Sequence, residues 1–84
     1  MYWLKNTPKP NLFDITPGDF LVADGTITGT EAGKTYEVKS SGWGPKPSVS
    51  DLHIQLEYED LWLDDVVDLE CNLRGFTFKE FKYV

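Results

Sequence analysis

The sequence predicts a small, mostly β protein, and three observations carry that expectation. Leu52 to Tyr58 alternates without a break: Leu52, Ile54, Leu56 and Tyr58 fall on one side, His53, Gln55, Glu57 and Glu59 on the other. That is the period of a half-buried strand. Two further apolar runs, Phe20 to Ala23 and Thr35 to Lys39, flank a Gly/Thr-rich interval from Asp24 to Gly33. Glycines there supply unusual dihedrals, so the pair reads as two strands joined by a long irregular loop. Last, Phe76 and Phe78 alternate, and the pattern then resets to Phe81 and Tyr83. A short 3₁₀ turn near Lys79 accounts for the reset, followed by a closing strand.

The elements follow in order. Residues 1–15 form an arm. Pro8 and Pro10 bias it to extended backbone, and either Trp3 and Leu4 or Leu12 and Phe13 are expected to cover the core. Residues 18–84 are the β-rich core, and the whole chain is one domain. Thr16-Pro17-Gly18-Asp19 is a turn, because proline presets its dihedral and glycine accepts a positive φ. Ser40 to Ser50 is a loop with Trp43 between two glycines, read either as a lid on the core or as a binding anchor beside Lys46.

Glu59 to Gly75 has two readings. With period two, Val67, Leu69, Cys71 and Leu73 alternate with Asp68, Glu70 and Asn72, and this favours a strand. The alternative is an α+β protein with a helix at about 60–74 on a small antiparallel sheet, capped by Asp60 and stopped by Gly75. Either way Cys71 is expected inside as a small hydrophobe.

The chain has 84 residues, with three Trp, four Tyr and five Phe to build its core. A domain this small buries only about 60% of its unfolded surface, so aromatic packing matters. One cysteine and one histidine exclude an internal disulfide and an ordinary Cys/His zinc site. No run reaches the ~20 apolar residues of a membrane helix, and the N-terminus lacks a secretory layout. The expectation is therefore a cytoplasmic protein, a complete gene product from Met1, with no membrane partner and no cofactor.

The net charge of −6 is unevenly spread. Asp51 to Glu70 holds eight carboxylates and no lysine or arginine, while the remainder sums to +2 (eight bases against six acids). Charge asymmetry of this kind bears on partner choice and encounter rate. It argues against direct nucleic-acid binding by the acidic half, which phosphates would repel.

At Gly18-Asp19-Phe20-Leu21-Val22, at Gly33-Lys34-Thr35-Tyr36-Glu37-Val38 and at Phe78 to Val84, the chain resembles the small SH3-like β-barrel proteins of bacteriophages. The resemblance covers under half of the chain. It implies a small, partly open SH3-like barrel of about five strands, a short 3₁₀ turn near the C-terminus and a viral origin. It brings no catalytic residues.

Ser50 and His53 are too close along one strand to make a reliable pair, and His53 is expected solvated among carboxylates. Asp64, Asp65 and Asp68 lack the glycine-punctuated spacing of a calcium loop. Gly29 to Thr35 mimics a phosphate-binding loop but has one residue too few between its glycines and leads into a strand. No enzyme and no small-molecule substrate are expected.

What remains is binding to a host protein with a basic surface, one that handles nucleic acid. The acidic segment would do the binding and so modulate or inhibit that host protein. The candidate partner-binding residues are Glu57, Tyr58, Glu59, Asp60, Trp62, Asp64, Asp65 and Asp68, with Trp43. The alternatives are a small virion or assembly component and, behind it, a nucleic-acid-binding barrel. The oligomeric state has no signature in the sequence.

Overall fold

The computed structural model describes residues 10–44 and 47–79. Six short strands form two three-stranded antiparallel sheets. They are β1 (Phe20–Ala23), β2 (Thr35–Glu37), β3 (Lys39–Ser40), β4 (Leu52–Gln55), β5 (Asp60–Trp62) and β6 (Phe76–Phe78). The first sheet has the order β2-β1-β6 and the second β3-β4-β5. Helical structure among the described residues is limited to 3₁₀ turns at Leu12–Asp14, Val49–Asp51 and Leu63–Val66. The mostly β expectation holds. The sheets do not close into a barrel among the described residues, and no helix there is long and apolar enough to cross a membrane.

β1 is the centre of the first sheet. Leu21 lies opposite Tyr36 on one side and Phe78 on the other, and Leu21 and Ala23 point into the core. The expected strand from Thr35 to Lys39 is real in its alternation but not in its pairing. Tyr36 and Val38 are both buried. Val38, however, exchanges backbone hydrogen bonds with the preceding turn, donating to Asp19 and accepting from Gly18 at 2.8 Å each. Lys39 then pairs with His53 in the other sheet. One alternating run therefore serves two sheets, turning the corner at Val38, as strands do where two sheets meet.

The second sheet corrects the reach of the best-patterned strand. Leu52, Ile54 and Leu56 are buried as expected, whereas Tyr58 is 91% exposed. The Leu56 N–H donates back to the Glu59 carbonyl at 2.8 Å, so the chain reverses through Glu57 and Tyr58. A reversal ends the alternation, and the ring leaves the core face.

Between Leu63 and Gly75 the chain is neither the continuous strand nor the α-helix. After the Leu63–Val66 turn, Val67 bridges Leu73 and the five residues between them loop out. The Asp68 carboxylate drives this. Its Oδ1 accepts the backbone N–H groups of Glu70 and Asn72 at 2.8 and 3.0 Å, while Cys71 N–H donates to the Asp68 carbonyl. Local side-chain-to-backbone bonds of this type outcompete a regular ladder. Leu69 is left fully exposed, and Cys71 sits half-buried at φ 64°, not enclosed as expected.

The described part of the arm is stitched to that loop. Leu12 donates to the Cys71 carbonyl and Leu73 to the Pro10 carbonyl, both at 2.7 Å. The Asn11 amide donates to the Glu70 carbonyl, and its oxygen accepts the Phe13 N–H. Leu12 and Ile15 enter the core, but Phe13 is exposed, so only one of that expected pair covers it. Trp3, Leu4, Lys46, Phe81 and Tyr83 lie outside the described residues. So do the 3₁₀ turn and closing strand expected after Phe78.

Leu21, Leu52, Ile54, Leu63, Leu73 and Phe76 join the two sheets into one core, with Phe76 edge-on to Tyr36 at 6.5 Å between ring centroids. Gly75, at φ +80°, is pressed against the Asp24–Ile27 loop. A Cβ there would stand 2.7 Å from Ile27 Cγ1 and 2.9 Å from Thr26 Oγ1.

Candidate functional site

The acidic segment takes its form from the β4–β5 hairpin. Glu57, Tyr58 and Glu59 make the tip, and Asp60 and Trp62 follow on the outer face of β5. Outward placement follows from the pleat, because Leu61 between them turns toward the core. Asp64 and Asp65 sit exposed in the 3₁₀ turn that continues directly from β5. Three strand residues span about 10 Å, so the two acidic groups flank a short strand as one strip.

None of Glu57, Glu59, Asp60, Asp64 and Asp65 has an ion pair or side-chain hydrogen bond among the described residues. A shallow open depression of about 260 Å³ lies at the tip, lined by Gln55, Leu56, Glu57, Tyr58, Glu59 and Asp60. Gln55 and Leu56 were not among the expected site residues. The unbroken alternation through Tyr58 carries no trace of the reversal that opens this depression.

Trp62 is 37% exposed, and its ring lies 4.7 Å from that of His53 at 49°. His53 is not solvated as expected. It is half-buried, and its Nδ1 stands 3.1 Å from the Asp51 carbonyl, which makes that nitrogen the donor. Lys39, His53 and Trp62 form a cross-strand row on the outer face of the second sheet.

Two of the expected residues are placed apart from the strip. Asp68 carries its carboxylate into the turn described above. Trp43 projects from the loop after β3, 96% exposed, so it is not a lid on the core.

The remaining chemistry is sparse. Ser50 Oγ is 2.9 Å from Ser48 Oγ, while His53 turns to the Asp51 carbonyl. Gly29 to Thr35 leads into β2, with Tyr36 OH accepting the Glu31 N–H. No three His, Cys, Asp or Glu side chains among the described residues are grouped to hold a metal ion. Asp24 is a carboxyl held by its own loop. The Thr26 hydroxyl at 2.6 Å, and then its N–H, hold it below the usual carboxylate range.

No protein family, curated protein or solved structure matches the chain.

Proposed function

We propose that this chain is a non-enzymatic binding protein, a phage-type modulator that sets its acidic strip on a basic surface of a host protein. The observation that carries the reading is the run Glu57, Glu59, Asp60, Asp64 and Asp65, exposed and without cationic partners among the described residues, around an exposed Tyr58. Unneutralised carboxylates on a short rigid hairpin stand in for phosphates, so the surface that fits them is one that handles nucleic acid. Tyr58 and Trp62 are its apolar anchors. The same charge disfavours direct nucleic-acid binding.

The strand order supports reading the fold as an SH3-like, partly open barrel. β2 and β3 are separated by Val38 alone, so they count as one bent strand of five, shared by both sheets.

Pull-down from host lysate tests the function. A partner should be retained at low salt, released as salt rises, and lost when Glu57, Glu59, Asp64 and Asp65 are changed together to amides. Unchanged retention by that variant removes the electrostatic reading. A second reading, an assembly component, draws on Trp43, Phe13 and Leu69, three exposed apolar side chains away from the strip. Recovery of the protein in purified particles favours it.

A further inference from the structure

The strip flanks an open sheet edge, and the hydrogen-bond phase of the hairpin says which backbone groups that edge offers. Among the described residues, β5 is the end strand of its sheet and pairs with β4 alone. The Leu56 N–H to Glu59 carbonyl bond makes those two residues a hydrogen-bonded pair. In an antiparallel ladder such pairs alternate with non-bonded ones. Counting back along the register, Ile54 and Leu61 are bonded, whereas Gln55–Asp60 and His53–Trp62 are not. The N–H and C=O groups of Asp60 and Trp62 therefore point away from β4, out of the sheet. Neither residue has another backbone partner among the described residues.

An edge with free donors and acceptors is a template for another strand. Here the charge says which kind. Glu57, Glu59 and Asp60 stand at one end of the edge and Asp64 and Asp65 at the other, so an incoming strand meets carboxylates at both ends. A second copy of this chain, itself at −6, would be repelled there. An extended segment bearing lysine or arginine would be held by both its backbone and its side chains. Resting on the acidic-strip reading, we propose that the partner presents such a basic segment and that it docks by adding a strand to β5.

The probe is a capped peptide of about eight residues, an ordinary strand length, alternating lysine with valine. Its control is the same peptide methylated at every backbone nitrogen, which keeps the charge and removes the donors. The unmethylated peptide should bind at low salt and slow amide exchange at Asp60 and Trp62. Leu61, already bonded to β4, should change little. Methylation should weaken binding about tenfold, the worth of one or two hydrogen bonds.

A pair of variants checks the same point from the protein side. Trp62 has φ −79° and ψ 125°, a conformation proline adopts, and its N–H is not used in the ladder. Trp62→Pro should lose more affinity than Trp62→Ala, which sheds the ring and keeps the donor. Equal binding of both peptides overturns strand addition and leaves the acidic-strip reading standing. Binding of neither peptide at low salt overturns both. Concentration-dependent protection of Asp60 and Trp62 in the protein alone makes the occupant a second copy and overturns the basic partner.

Discussion

The rings of His53 and Trp62 face each other across the β4–β5 ladder, 4.7 Å apart, at a non-hydrogen-bonded position where side chains approach most closely. The pair fastens the outer face of the hairpin that carries the acidic strip. Aromatic cross-strand pairs are worth about 0.2–1 kcal/mol beyond their separate contributions. A double-mutant cycle of His53→Ala and Trp62→Ala, followed by urea denaturation, should show coupling of that size. Strictly additive losses would mean the ring contact contributes nothing of its own.

Gly75 and Gly33 have nearly the same backbone angle, φ +80° and +83°, but only Gly75 is crowded, since nothing lies within 4 Å of a Cβ at Gly33. Gly33→Ala should therefore cost only the dihedral penalty of about 1 kcal/mol. Gly75→Ala should cost about 2–3 kcal/mol, because Ile27 and Thr26 must also move. Equal urea midpoints for the two variants would show that the loop yields without resistance.

Asn11 and Asp68 hold the arm and the 67–73 loop with side-chain-to-backbone bonds. Changing either to alanine should cost about 1–2 kcal/mol, the usual loss for a capping side chain. In Asp68→Ala, amide exchange should accelerate at Glu70 and Asn72 while β1 stays protected. Uniform acceleration would instead indicate global loss of stability.

Asp24 titrates below the ordinary carboxylate range because the Thr26 hydroxyl and N–H stabilise its charged form. A carboxyl whose folded pKa is depressed contributes stability above its unfolded value of about 4, and that contribution fades as pH falls through the folded value. Thr26→Val should raise the Asp24 midpoint in a carboxyl shift titration. It should also reduce the acid-side slope of stability. An unmoved midpoint would remove the hydroxyl as the cause.

The site was legible in part. The carboxylates and aromatics were identifiable from composition, and most of them do lie along one hairpin and its continuation. Asp68 was misplaced because a carboxylate in a polar run reads the same whether it faces solvent or its own backbone. The open edge of β5 was invisible, since it depends on the hydrogen-bond phase established by the Leu56–Glu59 closure.

Period-two alternation is a local property, so the chain alone specified a mostly β protein and sent Leu21, Ala23, Tyr36, Val38, Leu52, Ile54 and Leu56 inward. Three-dimensional packing settled three other matters: the change of sheet at Val38, the reversal at Glu57 and Tyr58, and the looping-out of residues 68–72. The first turns on which backbone donor finds which acceptor once distant segments meet, the other two on backbone N–H groups closing onto the Glu59 carbonyl and the Asp68 carboxylate. Hydrophobic spacing along the chain carries no record of that choice.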